Sequence, residues 1–468
     1  MTRDAGFLLA GRVVSAFTTV FVLALIARVR TDQELGVVAL GLALSLALAV
    51  LPEAGLTSLF IYDSATEPSR TGRLLGALLV MRAVALPLVA VALGLVVAVA
   101  YPHDASTMMI IAIGPAIQQI SELGRSVFIA RGRMAIASAH SIVENLAWAG
   151  AIGACIALGT SLDVMFAAAA LAVIACVLVI FGLVALLEHV LPGRPTRSDL
   201  ASLMSRAGPF AAFSTLAVVG ARMDTFLIGL LLPGGVAVAG AYYAVARLVA
   251  AAEYVPEAAS RAIYPTLVRQ QTGESEGRPS VLARTLRDMV ALGIAIPFGF
   301  ALVGHTLIEL IYGPDLAPWS WLFIAFGVAM PFRYVGFVFG VAVTSAGLQG
   351  KRAQAMAISV AISLSLNVVL LPTIGVAGAV VAGIAGWLAD CLLLGSDVFR
   401  SFGRVLSVGD IARPSAVALA AFLCGLGIRG ISPGPAGDLI AGTVFAAIVL
   451  LSVFDWRRRL SVVMRRNA

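Results

Sequence analysis

Apolar residues fall along this chain in long blocks, broken at short intervals by clusters of polar and glycine or proline residues. They neither alternate nor form a one-sided stripe. A block of about 20 apolar residues crosses a ~30 Å hydrocarbon layer as an α-helix, which satisfies its own backbone hydrogen bonds in lipid. The blocks predict spans at 7–28, 35–61, 74–100, 107–129, 139–158, 164–187, 207–231, 238–262, 286–311, 319–345, 354–372, 375–394, 412–430 and 436–454, about fourteen in all. Taking the loops alternately sorts the basic residues. One side collects Arg70, Arg73, Arg131, Arg133, Arg194, Arg197, Lys351, Arg352 and the run Arg457–Arg459, whereas the other holds only Arg28, Arg30 and Arg429. Cytoplasmic loops carry the excess of Lys and Arg, so both termini are expected in the cytoplasm. The opposite loops are too short to hold a folded domain.

Composition agrees with an all-α polytopic membrane protein. Of 468 residues, 60 % are hydrophobic and 12 % charged, and the mean hydropathy of +1.00 excludes a water-soluble globular chain. The formal charge of +7 reflects orientation in the membrane, since the arginines form no stripe for nucleic acid. The four cysteines lie inside apolar blocks without metal spacing, so no metal or cofactor is expected. No phosphate-cradling or nucleophile motif is present, and the glycines of 375–386 read as close helix packing. The chain is expected not to be an enzyme.

Self-comparison points to a duplication. Pro52-Glu53-Ala54 answers Pro256-Glu257-Ala258, and Gly36 answers Gly240 at the same offset; Pro87 and Pro297 follow with slight drift. The expected organisation is an N-lobe of six helices over 1–190 and a C-lobe of six over 200–398, with two further helices over 410–456 and a basic cytoplasmic tail over 457–468. Six-helix repeats share one orientation and enclose a central cavity in many transporters.

Charges inside the spans mark the candidate site, because each costs ~2.5 to 3.5 kcal/mol at mid-bilayer unless it faces a partner, water or cargo. Arg222, Asp224, Arg247, Glu253 and Glu257 lie within 220–269, and Arg333 sits mid-span. On one continuous helix Tyr243, Arg247, Tyr254, Glu257 and Arg261 would share a sector of roughly 80°. Asp224 and Arg247 lie at similar depth and could pair. In the first half, Arg12, Glu53, Arg82, Glu122, Arg125 and Glu144 are also intramembrane; Glu122 and Arg125 read as a local pair, with Arg12, Arg82 and Arg125 reaching for the inner surface. His140 and His305 read as packing residues.

The run Gly220-Ala-Arg-Met-Asp224-Thr-Phe-Leu-Ile-Gly229, then Tyr242-Tyr243-Ala-Val-Ala-Arg247-Leu, Pro256 and Tyr264-Pro265, resembles the seventh and eighth helices of the bacterial polysaccharide flippases of the MOP superfamily. Asn367-Val-Val-Leu-Leu-Pro372-Thr-Ile-Gly375-Val-Ala-Gly378-Ala379 is similar to their eleventh-to-twelfth helix turn. The resemblance implies alternating access in the bacterial cytoplasmic membrane and translocation of undecaprenyl-pyrophosphate-linked oligosaccharide from inner to outer leaflet for polysaccharide biosynthesis and export. On that footing Arg222, Arg247, Arg333 and Arg12 are the expected substrate contacts. Glu53, Asp224, Glu253 and Glu257 are the expected coupling or gating groups, with H+ or Na+ as the coupling ion. The implied partners are membrane lipids and a glycan polymerase or export machinery. The competing readings are a lipid II flippase of the same superfamily, a multidrug and toxin extruder, and a membrane glycosyltransferase or polymerase.

Overall fold

The computed structural model describes residues 2–53, 56–271, 281–403 and 405–453; the side chains of 2–10, 12–13, 58, 207–214 and 270–271 lie outside that description. The basic tail expected at 457–468 lies outside the described residues too. Helix dominates, and no strand occurs among the described residues. Each predicted span falls for the most part on helix among the described residues. In order these are α1 (Thr2–Val29), α2 (Asp32–Val50), α3 (Leu56–Thr66), α4 (Thr71–Ala100), α5 (Ala105–Ala130), α6 (Met134–Ala157), α7 (Leu162–Glu188) and α8 (Arg197–Leu231). There follow α9 (Gly235–Ala250), α10 (Tyr254–Gln271), α11 (Val281–Tyr312), α12 (Trp321–Ser345), α13 (Gln349–Ile374), α14 (Val376–Phe402), α15 (Gly409–Ile431) and α16 (Pro435–Val453). Ten helical stretches among the described residues are long and apolar enough to cross a membrane. The protein is therefore a multi-pass membrane protein. α5, α6 and α8, which carry several of the intramembrane charges, are not among the ten.

Two predicted spans are not single helices. The span at 35–61 stops after Val50 in a turn over 51–53, because Pro52 supplies no N–H and its ring crowds the preceding turn. The span at 238–262 is broken by a 3₁₀ turn over Ala251–Glu253. Pro256 then falls in the first turn of α10, where a missing N–H costs nothing. The break resets the helical phase, so the single 80° face expected from Tyr243 to Arg261 does not exist. α8 begins at Arg197, well ahead of its expected start, because Thr196 and Asp199 form a reciprocal capping box. The turn between α13 and α14 is the single residue Gly375, at φ 64° and ψ −146°, a conformation open essentially to glycine alone.

By packing, the chain divides into Met1–Ala244 and Val245–Ala468. In the first unit α5 lies against α2 and α7, α1 against α6, and α2 against α8. Leu56, Phe60, Leu75, Leu78, Phe128 and Ile180 form its buried cluster. Gly36 of α2 and Gly240 of α9, the two glycines that self-comparison aligns, meet there: a Cβ on Gly36 would stand 1.9 Å from the Val236 carbonyl oxygen. In the second unit α11 packs on α12 and α13 on α14, while α15 and α16 lie on α11 through Leu302, Ala418, Ala421 and Phe445. Outward residues such as Leu88, Val91, Leu95 and Val99 of α4 are exposed, as lipid-facing positions should be.

Candidate functional site

The first unit holds Asp224 and Arg222 on α8. Where depth alone suggests Arg247 as the partner of Asp224, the structure supplies a phenol: Tyr242 donates to Asp224 Oδ2 at 2.5 Å, and the Thr225 amide donates to Oδ1 at 2.7 Å. Arg222 turns the other way, as residues two apart on a helix must, and its guanidinium lies 5.3 Å from the centre of the Tyr243 ring. No carboxylate pairs with Arg222 among the described residues, and its Nε is buried without a hydrogen-bond partner. The adjacent tyrosines of α9 thus serve two groups, one phenol by hydrogen bond and one ring by its face.

A second set runs through the first unit from α3 to α6. Arg82 is only 3 % exposed, donating to the Gln119 carbonyl and to Thr57 Oγ1 at 2.8 Å, with Glu53 and Glu122 close enough to act on it electrostatically. Arg125 donates to Glu122 at 2.6 Å and also to Glu144 on α6. The local Glu122–Arg125 pair is as expected. Snorkelling is not: both arginines turn inward because acceptors on neighbouring helices await them, and Glu144 is 1 % exposed. Glu53, a coupling candidate, lies at the break between α2 and α3, where its charge acts on Arg82. The Arg12 side chain lies outside the described residues.

In the second unit Arg333 of α12 forms an ion pair with Glu253, and its guanidinium stacks 4.2 Å from the Trp387 ring centre. Tyr334, next along, donates to the Ala252 carbonyl at 2.6 Å, which fixes the 3₁₀ break against α12. Glu257 accepts from Arg261 at 2.6 Å one turn away on α10, and Arg261 is 64 % exposed. Arg247, in the last turn of α9, makes no ion pair or hydrogen bond among the described residues. Asp438, which the sequence reading did not single out within the span 436–454, is buried and accepts from Thr306 and Arg429, each at 2.5 Å.

Outside the spans, charges act as clamps. Arg70 bridges Glu67 at 3.0 Å and Asp199 at 3.1 Å, tying the α3–α4 turn to the start of α8, and Arg206 chelates Asp63 at 2.8 and 3.1 Å. The hydroxyl and amide of Thr196 hold the Asp199 carboxyl down to about 2, with Arg70 adding to them.

Ionisable side chains are thus held within the apolar helices of a multi-pass membrane protein. Its fold is that of solved members of the MOP superfamily. The lipid II flippase MurJ in an inward closed conformation superposes with a TM-score of 0.75 at 12 % identity, covering 98 % of this chain and 100 % of that one. A multidrug resistance MATE transporter in an inward-facing conformation gives 0.57 at 10 % identity, covering 84 % and 96 %. The family described as polysaccharide biosynthesis protein matches residues 1–271, and the chain belongs to that family. A segment of 178 residues is 24 % identical to the probable low-salt glycan biosynthesis flippase Agl15 of Haloferax volcanii, spanning 37 % of this chain and 37 % of that relative's length. The relative and the solved structures are, by name, flippases and transporters.

Proposed function

We propose that the protein moves a polyprenyl-pyrophosphate-linked oligosaccharide, with undecaprenyl as the lipid, from the inner to the outer leaflet of the bacterial cytoplasmic membrane by alternating access. All fourteen predicted spans cross, both termini are cytoplasmic, and the halves 1–190 and 200–398 are duplicated lobes. The observation that carries the reading is Arg222, a guanidinium in an apolar helix that no carboxylate meets in an ion pair among the described residues and whose Nε is buried without a hydrogen-bond partner; Arg247, in the other unit, likewise makes no ion pair among them. A guanidinium binds phosphate oxygens through paired charge-assisted hydrogen bonds, so a pyrophosphate supplies the charge these positions lack while the polyprenyl tail stays in lipid. Arg333, already paired and stacked, answers to Glu253 as a gate that opens when cargo competes for its guanidinium. Family membership and the glycan flippase relative support a saccharide cargo; the MurJ likeness keeps lipid II as the second reading.

Reconstitution decides between them. Purified protein in vesicles is expected to expose an inward-loaded, labelled polyprenyl-pyrophosphate oligosaccharide to an external lectin. Movement of lipid II alone would replace this cargo with the peptidoglycan precursor. Movement of neither would overturn the flippase assignment.

A further inference from the structure

Asp390 lies near the middle of the 27-residue α14, because that helix runs on to Phe402, past the span end at 394 that the apolar pattern gives. It is half-buried, and no hydrogen bond or ion pair holds its carboxylate among the described residues. A carboxylate at that depth in an apolar helix is costly unless something answers its charge. Gly336 of α12 makes the room it occupies: a Cβ on that glycine would stand 3.6 Å from Asp390 Oδ2.

Two arginines act on Asp390 through their charge, and each is held by another group. Arg352, from the first turn of α13, donates to Thr344 Oγ1 at 3.0 Å and lies against Gly340, one turn beyond Gly336. Arg333, one turn before Gly336, is paired with Glu253 and stacked on Trp387. Trp387 precedes Asp390 on α14 as Arg333 precedes Gly336 on α12, so both contacts lie in one register of the same helix pair. Positions three apart on a helix have Cβ atoms about 5–6 Å apart, which with the 3.6 Å to Gly336 puts Asp390 Oδ2 within about 10 Å of the Arg333 Cβ. An extended arginine spans most of that gap, and a hydrogen bond the rest. No other cation lies on α12, and α13 adds only Lys351, exposed in its first turn. On α14 itself Arg400 is about three turns away.

We propose that Asp390 is a second ion-pair acceptor for Arg333, whose guanidinium exchanges between Glu253 and Asp390 by changing rotamer. One ion pair replaces another; no proton moves and no covalent bond breaks. Departure from Glu253 releases one of two ties between the 3₁₀ turn Ala251–Glu253 and α12, the other being the hydrogen bond from Tyr334 to the Ala252 carbonyl. Asp390 is thus a positioning residue for Arg333. The exchange stands by itself; only its use as a gate driven by cargo rests on the flippase reading.

The test is the structure of full-length Glu253→Ala in nanodiscs at side-chain resolution, with thermal unfolding of a variant set alongside. Without its acceptor at 253, the Arg333 guanidinium is expected on Asp390, at the separation of about 2.7–2.9 Å of a charge-assisted pair. A guanidinium left at position 253 or in solvent overturns the exchange. In the unfolding series, Glu253→Ala and Asp390→Ala together should lower the midpoint by more than the two single losses added, because only the double variant strands Arg333. A double variant that no longer folds, where both singles do, is the extreme of the same result. In an Arg333→Ala background the excess should vanish. Additive losses in the presence of Arg333, or an excess that survives its removal, overturn the assignment. None of these readouts involves cargo, so this inference and the flippase reading fall separately.

Discussion

Arg222 and Arg333 are both guanidinium groups set in apolar helices, and their surroundings give them different work. Arg333 has a paired carboxylate and a tryptophan face, whereas Arg222 lies on a tyrosine ring and is in no ion pair among the described residues, Asp224 acting on it only through its charge. Replacing Arg222 or Arg247 with alanine is expected to cut cargo translocation about 10- to 100-fold in vesicles, since a charge-assisted hydrogen bond contributes roughly 1.5–3 kcal/mol. Thermal stability should hardly change, because neither arginine is in an ion pair. Arg333→Ala should lower stability as well as translocation. With the partners 20 % and 22 % exposed, stranding Glu253 costs on the order of 1–3 kcal/mol, and Glu253→Gln added to Arg333→Ala should recover most of the lost unfolding midpoint. The sequence marks these arginines by the cost of a charge in lipid, but not their partners. Glu253 precedes Arg333 by 80 residues, and Asp224 is met by a phenol that no matching of opposite charges would select.

Helices were legible because a block of apolar residues long enough to span lipid has hardly any other way to satisfy its backbone. Where they break was not. Pro52 signals the first interruption, but the second precedes Pro256 and depends on Tyr334 holding the Ala252 carbonyl from another helix. The close approach of α2 and α9 shows the same dependence, since the sequence offers Gly36 and Gly240 only as matching letters. Gly36→Ala would drive a methyl group into the Val236 carbonyl, and is expected to cost about 1–3 kcal/mol, read as a lowered unfolding midpoint in detergent. At the other end of the first unit, Thr196→Ala should cost about 0.5–2 kcal/mol through loss of the α8 cap. The Asp199 carboxyl, held from an ordinary 3.8 to about 2, contributes stability that is present above pH 3.8 and lost as pH falls through about 2. Asp199→Asn should therefore flatten the acid limb of the stability profile while lowering the plateau above it.

For the molecule as a whole, the reading that only charge asymmetry supports is its direction in the membrane, and α5 allows that to be tested within one element. Its first end follows Tyr101-Pro102-His103-Asp104 and its last is capped by Arg131, with Arg133 two residues beyond. The arginine end is expected in the cytoplasm because Lys and Arg resist translocation, an argument about how the chain is inserted rather than how it packs. Packing would look the same in either direction, so no contact within a unit bears on it. In a background where exposed Cys424 is replaced by serine, His103→Cys should be labelled by an impermeant maleimide on intact cells, and Arg131→Cys only after permeabilisation. The reverse pattern would place the loop arginines outside and turn the proposed export of glycan into import. Labelling of both sites on intact cells would mean that α5 does not cross, and with it the even helix count and the like orientation of the two lobes would fail together.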